Sequence, residues 1–273
     1  MTPRKISFIG AGNMTRSIVE GLVANQYPAE NIMASNPSQG KLTALQETLG
    51  IHITQNNADA IDFADLIVLS VKPQLMAQVC SDFLKDTHLS GKLVVSIAAG
   101  ITSERLCEML NGHSQVVRVM PNTPSSLGYG MSGVYASAKV SDDDAKFVAF
   151  MMNHVGETLI VKNEDAINTV IAAAGSSPAY FFLIAQSMQE EAINMGMDAS
   201  DARKLVQQAM LGSAHMIKAN PDTPIQTLRE NVMSKGGTTA KAVESLQNDK
   251  LAHILAKAMQ AAVTRAEQMS KEF

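Results

Sequence analysis

The alternation of short apolar runs with amphipathic segments, up to about residue 161, is the feature that most constrains this fold. Runs rich in β-branched residues predict strands, and the segments between them have the apolar spacing of helices. The predicted strands are Ile6–Ile9, Ile32–Ser35, Leu66–Val71, Leu93–Ile97 and Val116–Met120, with weaker ones at Ile51–Thr54, Met131–Ala136 and Thr158–Val161; predicted helices cover 13–25, 40–49, 74–85 and 103–110. This order is typical of an α/β fold whose doubly wound, mostly parallel sheet has helices on both faces.

The pattern changes after Lys162. Residues 165–195, 199–219 and 239–270 are helical in period and contain no convincing strand. The sequence therefore predicts an N-terminal α/β domain over 1–162 and an all-α C-terminal domain over 163–273. Pro178 stands inside the first helical stretch, where we expect it to kink the helix or begin a new one.

Composition excludes several classes of protein. Hydrophobic residues make up 46% of the chain, so a packed core is expected rather than disorder. A net charge of −4, without a basic stripe, gives no reason to expect nucleic acid. Cys80 and Cys107 are isolated and predict neither a disulfide framework nor a metal site. Since the first apolar run is already a strand, no signal peptide is visible and a cytoplasmic protein is expected.

The stretch 166–189 carries no charge, which raises the alternative of a membrane span. Polar residues interrupt it, among them Asn168, Ser176 and Gln186. A helix partly buried between subunits fits this composition better. We therefore expect no membrane partner and a homo-oligomer, either a dimer or a multiple of dimers.

A glycine-rich loop, Gly10–Ala11–Gly12–Asn13–Met14, lies between the first predicted strand and the first predicted helix. A strand, a tight glycine turn and a helix N-terminus together bind the pyrophosphate of a dinucleotide in Rossmann-type domains. Thr15 occupies the place of the third glycine of that fingerprint, so the match is partial. An ordinary structural turn is the alternative.

The end of the second predicted strand decides between the two nicotinamide cofactors. An acidic residue there would bond the ribose 2′-hydroxyl and repel a 2′-phosphate. This chain has Asn36 and Ser38 instead, with Lys41 close by, so NADPH is favoured and NADH remains possible. Val71 and Lys72 stand at the carboxyl end of the fourth predicted strand, where ligands meet open α/β sheets. A simple polar turn and a solvated lysine are the alternatives.

A second glycine loop, Ser234–Lys235–Gly236–Gly237–Thr238–Thr239, precedes a predicted helix near the C-terminus. Glycines let the backbone approach a ligand closely, and the amides of a helix N-terminus favour an anion. The loop predicts a site for a small carboxylate. A plain turn between two helices is the alternative.

The acids and bases near these loops indicate the reaction. Segment 163–202 contains no Lys, Arg or His, so it offers no cationic general acid of the kind a hydroxyacid dehydrogenase generally needs. An imine nitrogen is basic enough to arrive protonated, and then needs only a hydrogen-bond partner. A hydroxyacid dehydrogenase of similar build and a cofactor-binding regulator without catalysis are the alternatives.

Six segments together resemble the pyrroline-5-carboxylate reductase family, and the resemblance extends over nearly the whole chain. They are Phe8–Met14, Val71–Gln74, Ala98–Gly100, Met120–Pro124, Gly175–Tyr180 and Pro224–Leu246. The last two are far more specific than the glycine loop. The resemblance implies NADPH-dependent reduction of 1-pyrroline-5-carboxylate to L-proline, the last step of proline synthesis, by a Rossmann domain joined to a helical dimerisation domain.

The resemblance also assigns site residues by position. Gly10 to Met14, Asn36, Asn57, Lys72 and Ala99 would line the cofactor site, and Glu164, Gly237, Thr238 and Thr239 would line the substrate site. Amides of Gly237 to Thr239 would hold the carboxylate, and the Thr239 hydroxyl would contact the ring nitrogen. Three residues depart from the family pattern: Met233 for a small residue, Lys235 for proline, and Ser177 for glycine.

Overall fold

One eight-stranded sheet organises the computed structural model, which describes residues 2–273. The strand order is β3-β2-β1-β4-β5-β6-β7-β8, and every neighbouring pair is parallel except β6 and β7. The predicted fold class is confirmed. The strands are β1 Ile6–Ile9, β2 Ile32–Ser35, β3 His52–Thr54, β4 Leu66–Leu69, β5 Leu93–Ser96, β6 Val116–Met120, β7 Gly130–Ala136 and β8 Gly156–Ile160.

Twelve α-helices occur in the described chain. They are α1 Asn13–Ala24, α2 Gln39–Leu49, α3 Asn57–Phe63, α4 Pro73–Phe83, α5 Ser103–Met109, α6 Asp142–Asn153, α7 Ala166–Val170, α8 Ser177–Asn194, α9 Ala199–Ala219, α10 Ile225–Asn231, α11 Thr238–Asn248 and α12 Leu251–Glu272. Short 3₁₀ turns lie at Ala29–Asn31 and Thr123–Leu127, and a π-helical turn, Ile171–Gly175, lies between α7 and α8.

Alternate side chains of the central strands enter two separate cores. In β4, Leu66 and Val68 belong to one buried cluster, while Ile67 and Leu69 belong to the other. All four are fully buried, which is why this strand reads as a continuous apolar run rather than an alternating one. The helices thus cover both faces of the sheet, and only the ends of the strands remain accessible to a ligand.

Strand order places β1 between β2 and β4, so the sheet has its topological switch point beside β1. The carboxyl ends of β1 and β4 are tied by a bond from the Ser70 amide to the Ile9 carbonyl, 2.9 Å long. Ligands of open α/β sheets bind in the crevice at such a point. The fold therefore directs attention to the turns that follow β1, β2, β4 and β5.

Several elements differ from expectation. Strand β4 ends at Leu69, so Val71 lies in the turn rather than in the strand. Helices α3, α6 and α10 were not predicted; α3 and α10 have only seven residues each. A signal for α6 was present in the sequence, because Ser141 caps it by accepting from the Asp144 amide at 3.1 Å.

The two long C-terminal helical stretches are also interrupted. The predicted helix 239–270 divides into α11 and α12 at Asp249 and Lys250, where Lys250 has a positive φ of 59°. The predicted helix 165–195 contains the π-helical turn, and α8 begins afresh at Ser177. Pro178 thus lies in the first turn of a new helix, one of the two outcomes expected of it.

The chain forms two compact units. The residues up to Pro178 together with Ala261–Phe273 make the first, and Ala179–Gln260 make the second. The second unit exposes large apolar side chains, among them Phe181, Phe182 and Leu183, which are 54%, 67% and 63% exposed. The functional boundary predicted at residue 162 is a different division and stays a prediction.

One helical stretch in residues 2–273, Ala166–Asn194, is long and apolar enough to cross a membrane by length and composition alone. Core and interface helices of water-soluble proteins pass the same test.

Candidate active site

Gly10 follows β1 directly, in a conformation and a space that admit only glycine. Its φ is +107°, and a Cβ there would lie 2.7 Å from the Ser70 carbonyl oxygen. Its amide donates to the Ser35 carbonyl at 2.9 Å, which fixes the turn against β2. Gly12 is different, because a Cβ there would meet nothing within 4 Å. Gly10 thus shapes the loop, and Gly12 leaves its outer surface open to a ligand.

Thr15 replaces the third glycine of the fingerprint with a buried hydroxyl. Its Oγ1 donates to the Gly10 carbonyl at 2.6 Å and shares a second bond of 2.6 Å with the Ser70 hydroxyl. The side chain is completely buried. It therefore joins the turns after β1 and β4, and the missing glycine is compensated by a hydrogen-bonded link rather than by close packing.

Helix α1 begins directly after this loop. Gly12 is its N-cap and no side chain caps it, so the first-turn amides of Asn13 and Met14 are left for a ligand. An anion such as a pyrophosphate is favoured there by these donors and by the positive end of the helix.

Asn36 connects the glycine loop to the turn after β2. Its Oδ1 accepts from the Ala11 amide at 3.3 Å, and its Nδ2 donates to the Ser38 hydroxyl at 2.7 Å. Nearby, the Ser35 hydroxyl donates to Asn57 Oδ1 at 2.6 Å. No acidic side chain occurs from Ile32 to Leu45. The side chain of Asn36 therefore holds the frame of the site as well as keeping it uncharged.

The remaining predicted cofactor residues follow β4 and β5. Lys72 is the exposed N-cap of α4, with Pro73 at the first helical position. Val71 and Ala99 are half-buried in the turns after β4 and β5. All eleven residues predicted for the cofactor thus lie at the carboxyl edge of the parallel strands or in the first turns of the helices that follow.

In the second unit, the loop before α11 has the expected helix-opening geometry. Gly236 has a φ of +73° and Gly237 is the N-cap of α11. The Gly237 amide already donates to the Ser234 carbonyl at 2.9 Å. The prediction that this amide is free to bind a carboxylate is therefore wrong. The open donors are the first-turn amides of Thr238 and Thr239.

The hydroxyls of Thr238 and Thr239 are exposed and have no hydrogen-bond partner in residues 2–273. Since Gly237 holds the N-cap position, Thr239 lies inside α11 and does not cap it. Lys235 is exposed and Met233 is half-buried. Neither of these two departures from the family pattern distorts the helix start.

Glu164 is held by three donors in the first unit. Its Oε1 accepts from the Ser103 amide at 2.6 Å and from Arg118 at 2.7 Å, and its Oε2 accepts from the Ser103 hydroxyl at 2.5 Å. Burial alone would raise the pKa of this carboxyl, but the bonds from Ser103 and Arg118 outweigh burial and leave the pKa below its usual value. Glu164 is therefore an ionised, oriented carboxylate.

Arg118 was not predicted as part of a site, although it is the only charged residue of the apolar strand β6. Its side chain is only 7% exposed, and its guanidinium pairs with Glu164. Together with Thr102, Asn168 and Lys271, the pair lines a cavity of about 340 Å³. A lone arginine in such a strand is a signal that sequence reasoning can use, because buried charges need partners.

The Glu164 carboxylate gives a pH-dependent prediction. Because its folded pKa is lowered, its stabilising bonds are present above the unfolded pKa and are lost as the pH falls through the folded pKa. Glu164→Gln should cost about 3 kcal/mol near pH 7, since buried Arg118 loses its counter-charge.

Thermal unfolding of wild type and Glu164→Gln at several pH values measures this. The gap between their melting temperatures should be widest near neutrality and shrink below about pH 4.5, the ordinary carboxyl value. Glu108→Gln, which removes the exposed partner of Arg105, is the matched control and should change little. A gap that is constant over the whole pH range contradicts the ion pair.

Asn122 compensates for the donor that Pro178 lacks. A proline at 178 cannot donate to the carbonyl four residues earlier, which belongs to Ala174. Asn122 Nδ2 donates to that carbonyl at 3.0 Å, and the Ser177 hydroxyl does so at 3.3 Å. Asn122 Oδ1 accepts from the Met131 amide at 2.9 Å. The segment after β6 therefore holds the π-helical turn, a feature that often occurs at functional sites.

Comparison with known proteins agrees with this geometry. A family model described as pyrroline-5-carboxylate reductase dimerisation matches residues 164–269, and one described as NADP oxidoreductase coenzyme F420-dependent matches residues 5–100. The pyrroline-5-carboxylate reductase of Vibrio alginolyticus is 55% identical over 273 residues, which cover 100% of both chains.

Two solved structures are similar over the whole chain. The enzyme of Coxiella burnetii superposes with a TM-score of 0.91 at 39% identity, covering 98% of this chain and 99% of that one. A Plasmodium falciparum pyrroline carboxylate reductase with NADP bound has a TM-score of 0.87 at 29% identity, covering 99% of each. The glycine loop after β1, the neutral turn after β2 and the glycine turn before α11 agree with these comparisons. This chain belongs to the pyrroline-5-carboxylate reductase family.

Proposed function

We propose that this protein reduces 1-pyrroline-5-carboxylate to L-proline, with NADPH as the hydride donor. The turn that opens α11 carries the proposal. Its unpaired amides can bind the carboxylate of a small substrate, and its two free hydroxyls can contact the ring nitrogen beside that carboxylate. Two further observations support the same reaction class. Relatives bear the name pyrroline-5-carboxylate reductase, and segment 163–202 has no Lys, Arg or His.

In this proposal, the amides of Thr238 and Thr239 bind the substrate carboxylate. Gly237 keeps a side chain out of that side of the site, so the substrate can approach the backbone closely. The Thr239 hydroxyl contacts the ring nitrogen, which enters as an iminium and leaves as an amine. Glu164 stays a predicted substrate-site residue. Its bonds to Ser103 and Arg118 would give it a fixed orientation in that role.

The residues at the sheet edge fit the cofactor. Open space beside Gly12 and the uncapped start of α1 suit a pyrophosphate, and the neutral turn at Asn36 and Ser38 tolerates a 2′-phosphate. When bound, NADPH supplies the hydride. Lys72, Val71, Asn57 and Ala99 complete the predicted cofactor set.

An NADPH-oxidation assay tests the proposal. Purified protein should oxidise NADPH with 1-pyrroline-5-carboxylate and should not do so with a 2-oxo acid of similar size. Turnover of the 2-oxo acid alone would indicate a hydroxyacid dehydrogenase instead. Cofactor binding without turnover of either compound would indicate a non-catalytic, cofactor-binding protein.

The matched dimerisation domain makes this protein a homo-oligomer, and we propose that it is a dimer or a multiple of dimers. The apolar side chains of α8, including Phe181 and Phe182, would be covered by the partner. Light scattering on a gel-filtration peak should give at least twice the monomer mass of 29.2 kDa. A well-behaved active monomer contradicts this assembly. A cytoplasmic location, without membrane or nucleic-acid partners, remains our prediction.

A further inference from the structure

The last turns of α12 lie directly on the turn that follows β5. The segment Ala261–Phe273, which contains these helical turns, belongs to the first unit. A Cβ built on Gly100 would lie 2.5 Å from Met269 Cβ, 3.1 Å from its Cε and 3.5 Å from its Cγ. The half-buried Met269 side chain therefore lies along the backbone of the turn. Gly100, with a φ of +77°, permits this approach because it has no side chain.

The turn after β5 has few hydrogen bonds of its own. The Ala98 amide donates to the Ser96 hydroxyl at 3.3 Å. The next two amides, those of Ala99 and Gly100, donate no hydrogen bond within residues 2–273. The position of these two residues therefore depends on the groups that pack against them, and Met269 is the side chain that packs on Gly100.

The end of α12 is held in place by other contacts. Ala266 is 5% exposed and packs in a small buried cluster with Ile167 of α7. Phe273 packs against one of the two cores of the sheet, and its carbonyl oxygen accepts from Arg105 Nε at 2.7 Å. Met269 lies about one helical turn from each of these two anchors. Its side chain is therefore a fixed surface against which the turn can rest.

Strand order indicates which half of the cofactor meets this turn. Strands β2 and β4 flank β1 on opposite sides, and β5 lies beyond β4. Because the turn after β2 is predicted to receive the 2′-phosphate of the adenosine half, the nicotinamide half would extend across β4 toward β5. The turn that contains Ala99, a predicted cofactor residue, therefore lies where the nicotinamide half would be held.

We propose that Met269 is a positioning residue for hydride transfer. It packs on Gly100, fixes the turn that contains Ala99, and so holds the nicotinamide half of NADPH in a constant place. The inference rests on the cofactor of the proposed function and adds a residue from the far end of the chain. Truncation of Met269 to alanine would remove the side chain beyond Cβ and leave a gap beside the turn, into which the unbonded backbone could move.

Calorimetric titration with two ligands tests this role apart from turnover. NADPH carries the nicotinamide half, whereas adenosine 2′,5′-bisphosphate carries the adenosine half alone. Met269→Ala should weaken NADPH binding by about five- to tenfold, because a mobile turn must be ordered on binding, and should leave the affinity for the bisphosphate within about twofold of wild type. A displaced nicotinamide should also lower kcat at saturating NADPH by about tenfold, with little change in the KM for 1-pyrroline-5-carboxylate.

Variants at the same helix end separate positioning from a general loss of stability. Met269→Leu keeps an apolar side chain of similar volume and should retain most of the NADPH affinity and kcat. Gln268→Ala is the matched control, because this side chain is exposed and accepts only a long bond of 3.4 Å from Arg265. It should change neither affinity. If Met269→Ala does not fold, Met269→Val should show the same selective loss for NADPH to a smaller degree.

Equal weakening of both ligands in Met269→Ala overturns the positioning role, because it would indicate a disturbed domain rather than a displaced turn. Wild-type NADPH affinity together with a wild-type kcat also overturns it. The imine-reduction assay keeps this result separate from the proposed function. If wild type reduces the imine and Met269→Ala behaves like it, the role of Met269 alone is refuted. If Met269→Ala loses affinity for NADPH alone but wild type does not reduce the imine, the proposed reaction is refuted.

Discussion

Thr239→Ala should lower kcat for imine reduction by about ten- to a hundredfold, which corresponds to about 1–3 kcal/mol for one lost hydrogen bond. The contact of its hydroxyl with the ring nitrogen should strengthen as hydride arrives, because the nitrogen changes from iminium to amine. The NADPH dissociation constant should change little, since the predicted cofactor residues lie in the turns after β1 to β5 or in the helix starts that follow them. Steady-state kinetics and a separate cofactor titration measure both quantities.

Stability measurements distinguish this role from a structural one. Gly237 is the N-cap of α11 and the Thr239 hydroxyl has no partner among the described residues, so Thr239→Ala should keep the wild-type melting temperature. Thr239→Ser, which retains the hydroxyl, should keep most activity. Lys235→Ala should change mainly the KM for 1-pyrroline-5-carboxylate, if it changes anything. A Thr239→Ala protein that melts early while its kcat stays normal would remove Thr239 from the catalytic residues.

Asn36→Asp should reduce the ratio of kcat/KM for NADPH to that for NADH by about ten- to a hundredfold. A carboxylate at the end of β2 would repel the 2′-phosphate and would accept from the ribose hydroxyl of NADH. The Oδ1 that accepts from the Ala11 amide is retained in this variant, but the donor to Ser38 is lost. Kinetics with both cofactors, in parallel, measure the change.

Asn36→Ala separates repulsion from loss of the frame. It removes the side-chain bonds to Ala11 and Ser38 without adding charge. The two cofactors should therefore weaken together, and the ratio should stay near that of wild type. An equal change of ratio in Asn36→Ala and Asn36→Asp would assign the effect to the frame of the turn. A wild-type enzyme that prefers NADH would contradict our interpretation of the residues after β2.

Local chemistry made much of the fold predictable. Strands such as Leu66–Leu69 are buried on both faces and leave an uninterrupted apolar run, which is visible without coordinates. Gly10 stands where only a residue without Cβ fits, so the first turn was also visible. The order of strands and helices, the helical C-terminal region and the two glycine loops all follow from patterns that span fewer than about twenty residues.

Short helices and interruptions were less predictable, because their signals are weak or depend on distant partners. Helices α3 and α10 have only two turns each and were missed, although the equally short α5 was predicted within 103–110. The π-helical turn before α8 exists where Pro178 leaves the Ala174 carbonyl free, and Asn122 satisfies it from 52 residues away. Pro178 was visible in the sequence, but the residue that compensates for it was not.

The sequence by itself determined the architecture, the two glycine turns predicted to bind ligands and the neutral end of β2, since each depends on residues close together in the chain. Only the tertiary structure decided which distant residues meet. Ser103 and Arg118 approach Glu164 from 61 and 46 residues away, and Ser70 meets Thr15 across 55. Likewise, Arg16 and Lys41 share one cavity only because α1 and α2 follow paired strands. Such pairings come from packing around the sheet, and no local periodicity records them.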